Sequence, residues 1–318
     1  MIVVRFGGGL GNQLFQYALA LILKEKYQDV SVKCDIASYE LFDEHEGFEI
    51  PNIFEFDLEI ADYTIIKRFC PAQMLAQKLG FKALICNRIN RYTPIWNIDK
   101  LYRVIQDKRK RFRRITDNHI GRFNPEIMFL TESRTKDYYL EGAWQNLGYF
   151  TGYRDWLKNK MRISRTICDE EMLEVIKEQE AVGIHIRGGD FCNNKRLNIC
   201  GISYYEKAIR QLETLRKDLT FYVFTDDKEK AQRVIENLEL CNAYIISGNA
   251  YADFILLNAC KYKIISNSTF SFWAAYLSDR QNESALTIAP MFIVKEKKNY
   301  IPNSVPDDWI LVDNRNDK

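Results

Sequence analysis

Residues 2–6 read Ile2-Val3-Val4-Arg5-Phe6, an apolar run of strand length that breaks at Gly7-Gly8-Gly9-Leu10-Gly11-Asn12. Beyond the break Leu14, Phe15, Ala18, Leu19, Ile22 and Leu23 recur at helical spacing, so the pattern predicts strand, tight turn and helix. A second apolar run at 30–35 closes a βαβ unit. From about residue 43 to 134 the pattern is irregular, and helices with long loops are expected there.

The second half is more regular. Apolar runs at 182–187, 220–225, 243–247, 262–266 and 285–289 have strand length, and helical patterns separate most of them. Ser203 and Glu206 stand at capping-box spacing before Ala208, Ile209, Leu212 and Leu215. Strands alternating with helices imply a doubly wound parallel sheet. The acidic stretch Asp169-Glu170-Glu171 opens a surface helix, which places a domain boundary near residue 160 and divides the chain into 1–160 and 161–318.

At 318 residues the chain has room for two such domains. Its 45 Lys and Arg nearly balance 43 Asp and Glu, which gives no reason to expect nucleic acid as a partner. One local basic run, Lys108, Arg109, Lys110, Arg111, Arg113 and Arg114 with Arg103 and Arg122 nearby, fits either a solvated face or attraction to an anionic lipid surface. The eight cysteines form no CxxC pair, and reduced thiols are expected. Cys192 and Cys200 lack the further ligands that zinc requires. The start lacks the features of a signal peptide, and no apolar run approaches the roughly 18 residues of a membrane span. A cytoplasmic protein is expected, with possible peripheral contact at the inner face of a membrane.

In open α/β sheets ligands bind beyond the carboxyl ends of the strands, so those ends hold the candidate residues. The glycine turn partly matches a dinucleotide fingerprint, with Asp35 lying 24 residues after Gly11, but Asn12 stands where the third glycine belongs. It is either a tight turn or a close approach of backbone to ligand, with the Asn12 amide directed at that ligand. In His185-Ile186-Arg187-Gly188-Gly189-Asp190, alternation puts His185 and Arg187 on one face, and Arg187 emerges at the strand end before two glycines. An arginine fork there suits a diphosphate, or else pairs with Asp190; His185 reads as packing or as a site residue. Asn267-Ser268-Thr269-Phe270-Ser271 lies between a strand and an apolar helix, where backbone N–H groups, hydroxyls and a helix dipole can hold an anion. Asp226 and Asp227 fit a helix cap, contacts to a base or ribose, or metal carboxylates.

These segments, with Leu140-Glu141-Gly142-Ala143-Trp144-Gln145 between them, together resemble the family 11 α-1,2-fucosyltransferases. The resemblance implies two Rossmann-like α/β domains facing across a cleft, the GT-B type. It implies transfer of L-fucose from GDP-β-L-fucose to the 2-hydroxyl of a galactose, with inversion and no metal ion. The N-terminal domain would take the acceptor side and the C-terminal domain GDP-fucose. Gly9, Gly11, His185, Arg187, Asp226, Asp227, Asn267, Ser268, Thr269, Phe270 and Ser271 would line the donor site. Arg187 would act on the leaving diphosphate, Asp190 would serve as base and Asn12 would contact fucose or phosphate. Trp144 and Trp96 are either core aromatics, the commoner case, or stacking surfaces for the acceptor, with Gln145 beside them; the acceptor would be a galactoside-containing oligosaccharide or lipid-linked glycan. Phe191 and Phe272 stand where relatives often carry Tyr and Trp. Two other readings are an NAD(P)-dependent oxidoreductase using the glycine turn and Asp35, and a nucleotide-sugar or glycan binder without turnover.

Overall fold

The computed structural model describes residues 1–41, 46–70, 112–117, 121–132, 137–163, 167–189, 194, 196–278, 284–295 and 304–314. The chain folds into two units, one of Met1–Pro51 and Phe56–Thr151, the other of Asn52–Glu55 and Gly152–Lys318. Each is built on an all-parallel sheet, so the fold is α/β with two Rossmann-like units.

The first unit's sheet has the order β3-β2-β1-β5-β4, from strands β1 (Ile2–Arg5), β2 (Val32–Asp35), β3 (Glu59–Ile60), β4 (Phe112–Asp117) and β5 (Asp137–Gly142). Ile2, Val3 and Val4 are buried on both faces of β1, as a strand inside a covered parallel sheet requires. Helix α1 (Leu10–Lys26) follows the glycine turn. Its residues from Gln13 through Leu23 are all buried, and Lys24 and Lys26 stand in the last turn, where cations complement the helix dipole. Helices α2 (Ala37–Leu41) and α3 (Tyr63–Phe69) follow β2 and β3.

Within the irregular stretch the structure contains two strands, β3 and β4, where helices and loops are the sequence expectation. β4 was hidden by its arginines: it reads Phe-Arg-Arg-Ile-Thr-Asp, yet Arg114 is buried in it. Arg114 Nη1 bonds Glu141 Oε2 at 2.8 Å, its Nη2 donates to the Phe69 carbonyl at 2.8 Å, and its guanidinium lies 4.6 Å from the centre of the Tyr139 ring. Arg113 pairs instead with Glu126 at 2.6 Å on the surface. Arg114 is therefore an internal strand residue and no part of a basic surface; 103 and 108–111 lie outside the described residues.

The second unit's sheet has the order β11-β10-β9-β6-β7-β8, from β6 (Ala181–Ile186), β7 (Thr220–Thr225), β8 (Ala243–Ile246), β9 (Tyr262–Ile264), β10 (Leu286–Pro290) and β11 (Ile310–Val312). Its helices are α4 (Arg154–Lys160), α5 (Glu170–Glu178), α6 (Ile202–Leu215), α7 (Lys228–Asn237), α8 (Ala250–Ala259) and α9 (Thr269–Tyr276). Val182, Ile184 and Ile186 of β6 pack with Tyr205, Ala208, Ile209 and Leu212 of α6 in the core. Asp169 caps α5 through the Met172 N–H, as its acidic start suggests. The capping box does not form: Gly201 is the N-cap of α6, Ser203 lies inside the helix, and Glu206 pairs with Arg210 one turn on. From β6 the chain steps outward through β7 to β8, crosses back to β9 and then continues the other way to β11. The order thus reverses between β6 and β9, the topological switch point at which such sheets bind ligands.

Among the described residues no disulfide forms and no helix is long and apolar enough to cross a membrane.

Candidate active site

In the second unit the predicted residues gather at the switch point. β6 carries His185 near its end and leads into Arg187, and β9 leads into Ser266, Asn267 and α9. His185 and Ser266 span the gap with a 2.8 Å hydrogen bond between Nδ1 and Oγ. Burial, with the nearby charges of Arg187 and Lys230, pushes the His185 imidazole down to about 3, so it stays neutral. Its ring packs 5.4 Å from that of Phe270, and it supports the crevice from inside the core, where its own charge contributes nothing to anion binding.

Arg187 stands at the strand end, about one third exposed. Its partner is Asp226 at the end of β7, at 2.5 Å from Nη1 to Oδ2; Asp190, with Phe191 and Cys192, lies outside the described residues. The other Asp226 oxygen accepts the Gly188 N–H at 2.6 Å. Lys230 Nζ donates to the Arg187 carbonyl at 2.8 Å. Glycine is needed here for space: a Cβ on Gly188 would lie 2.1 Å from that of Asp227, and Gly189 has φ of 43°. Asp226 thus clamps both the side chain and the backbone of the arginine turn, while Asp227 caps α7 by accepting the Lys230 N–H at 3.0 Å. Of the readings open for this pair, Asp227 takes the helix cap, and Asp226 serves the arginine turn.

The polar run before α9 divides in the same way. Asn267 Nδ2 donates to the carbonyls of Leu197 and Ile293, both at 2.9 Å, and so ties two loops together. Ser271 is fully buried and bonds back to the Ser268 carbonyl. Neither offers its side chain to a ligand, contrary to expectation. Ser268 is the N-cap residue but makes no side-chain capping bond, and Thr269 and Phe270 open the helix half-exposed. The anion-holding capacity of this end therefore lies in the α9 backbone N–H groups and the Ser268 and Thr269 hydroxyls.

In the first unit two glutamines shape the glycine turn. Gln16 accepts the Gly7 N–H at 3.0 Å and donates to the Gly142 carbonyl of β5 at 3.1 Å. Gln13 donates to the carbonyls of Gly8 and Gly47 at 3.0 and 2.8 Å. Both are buried, polar residues three apart inside an apolar helix pattern, the signal that could have marked them. Gly9 and Gly11 sit at the α1 start, where Gln13 Nε2 lies 3.4 Å from the Glu49 carboxylate. Asp35 is also committed, accepting the Ala37 N–H at 2.9 Å and the Tyr139 hydroxyl at 2.6 Å. A nicotinamide dinucleotide would find its ribose carboxylate buried and occupied, which removes that support for the reading.

Asn12 and Gln145 meet, with Gln145 Nε2 donating to Asn12 Oδ1 at 2.9 Å. Trp144 is fully buried, edge-on to Tyr149, and is a core residue with no surface for sugar stacking. Trp96 lies outside the described residues.

The model of the family described as Glycosyl transferase family 11 matches residues 1–303. The chain is 26% identical to an alpha-1,2-colitosyltransferase of Escherichia coli over 98% of this chain and 99% of that protein. It is 27% identical to the O-antigen biosynthesis glycosyltransferase WbnK of Escherichia coli, over 95% and 97% of the two chains. A shorter stretch, 32% of this chain and 29% of the relative, is 29% identical to galactoside alpha-(1,2)-fucosyltransferase 1 of Rattus norvegicus. With the match running from the β1 glycine turn past the β6–β9 switch point, the chain belongs to glycosyl transferase family 11 and is a glycosyltransferase.

Proposed function

We propose that this glycosyltransferase moves L-fucose from GDP-β-L-fucose to the 2-hydroxyl of a galactose, with inversion and without a metal ion. The observation that carries the reading is Arg187, held by Asp226 at the switch point beside the start of α9. Loss of the nucleoside diphosphate leaves negative charge on the departing oxygen and positive charge on the sugar. A preorganised guanidinium and a helix start answer the first of these without a cation. The engagement of Asp226 and Asp227 elsewhere supports the metal-free form. An α-1,2 linkage stands in the names of two relatives, and one of those names carries galactoside and fucose.

A second donor is favoured by one specific observation, the relative named for colitose, which is fucose lacking its 3-hydroxyl. The test is to supply GDP-fucose and GDP-colitose separately, with terminal β-galactosides and excess EDTA, and to determine the product linkage by NMR. The expected result is a 2-linked fucosyl galactoside. Preference for GDP-colitose would change the donor, and activity restored only by magnesium or manganese would overturn the metal-free mechanism. Nucleotide sugar bound without turnover would leave a binding protein.

A further inference from the structure

Gln145 comes from the loop after β5, 133 residues from Asn12, and is held from both sides. Before it, Trp144 adopts a positive φ of 57° with its ring sealed in the core. A bulky residue in that conformation stores strain that surrounding packing must hold. After it, Asn146 donates from Nδ2 to the Gly121 carbonyl at 2.6 Å and accepts the Gly148 N–H at 2.7 Å. Its own N–H bonds the Trp144 carbonyl at 2.9 Å. Asn12 is fixed in turn at the start of α1, its N–H bonded to the Gly9 carbonyl at 2.9 Å. Its Nδ2 lies over Gly8, only 2.6 Å from where a Cβ would stand.

An asparagine amide can present either its oxygen or its two N–H donors to a ligand. In the structure Gln145 donates to the oxygen, which leaves the Nδ2 donors for another partner. Among the described residues Asn12 Nδ2 has no hydrogen-bond partner. We propose that Gln145 is a positioning residue, which sets the Asn12 amide so that Nδ2 donates to a sugar or phosphate oxygen of the substrate. The inference rests on the proposed transfer reaction.

The experiment compares kcat and KM for both substrates in wild type, Asn12→Ala, Gln145→Glu and the double variant, with a melting curve for each. A glutamate of the same reach cannot donate to Asn12 Oδ1, so Gln145→Glu is expected to lower kcat/KM about 10- to 100-fold, the scale of a misplaced substrate contact. The double variant is expected to be no worse than Asn12→Ala, since both changes remove one interaction. A rise in donor KM identifies a donor oxygen, and a rise in acceptor KM an acceptor oxygen. Asn12→Asp, which keeps the oxygen for Gln145 but lacks the donors, is expected to melt as wild type does while losing activity. If Gln145→Glu fails to fold, Gln145→Met supplies the same comparison. Wild-type kinetics in the Gln145 variants, or losses that multiply in the double variant, would overturn the inference while leaving sugar transfer intact. A wild-type protein that turns over no sugar nucleotide would overturn the transfer reading itself, and this inference with it.

Discussion

Glu49 holds its carboxyl at the first turn of α1, near Gln13 Nε2, and burial pushes it up to about 7. A carboxyl whose folded value exceeds its unfolded one binds more protons folded than unfolded between the two values, so stability falls as pH rises through that window. The wild type should therefore lose stability relative to Glu49→Gln from about pH 4.5 to about pH 7, with the difference level above. Thermal melts of both proteins from pH 4 to 8.5 measure it, and parallel curves would show that Glu49 titrates as an ordinary surface acid. Single residues were legible where a local pattern fixed their place in the fold. Arg187, one step beyond an apolar strand and before two glycines, was of that kind. Asp226 as its clamp was not, because the partnership joins the ends of two neighbouring strands 39 positions apart. The burial of Trp144 follows the commoner fate of an aromatic, although its polar neighbours alone do not decide whether the ring faces solvent or core.

Elements became legible in proportion to how cleanly apolar periodicity marked them. β6, β7 and β9 sit inside a covered parallel sheet, so their runs are continuous and unmistakable. β4 is instead an edge strand, paired only with β5, and carries Arg113 and Arg114 on successive positions, one exposed and one with its side chain internal. What makes Arg114 tolerable there is Glu141 on the adjacent β5, which Arg5 of β1 also reaches, and no local window contains that compensation. Arg114→Gln should accordingly destabilise the first unit by about 2 kcal/mol, because a buried side chain loses its charge-assisted bonds to Glu141 and the Phe69 carbonyl while Arg5 still pairs with Glu141. Arg113→Gln should change stability by no more than about 1 kcal/mol, as expected of an exposed pair. Urea unfolding curves distinguish the two, and equal small effects would place Arg114 on the surface with the rest of the basic run. The same distinction governs vesicle-binding experiments: only substitutions that spare Arg114 report on surface charge.

At the scale of the whole molecule, each unit brings remote loops together at the carboxyl ends of its strands. In the first, Gln16 and the Asn12–Gln145 pair connect the ends of β1 and β5. In the second, the reversal of strand order between β6 and β9 opens the crevice, and His185 with Ser266 braces it. The alternation of strand and helix made the fold class readable, whereas strand order and the choice of which polar groups remain for a ligand depend on tertiary pairing. The central claim is that Arg187 stabilises the departing diphosphate. Its most direct test is kcat at saturating sugar nucleotide and acceptor for wild type, Arg187→Ala and Arg187→Lys, with an unfolding curve for each. Arg187→Ala should remain folded and lose at least ~10²-fold in kcat, the scale of removing one preorganised donor. Arg187→Lys should recover only part of that, because a point charge cannot reproduce the planar fork. A folded alanine variant with wild-type kcat would contradict the claim and leave Arg187 with a structural role beside Asp226.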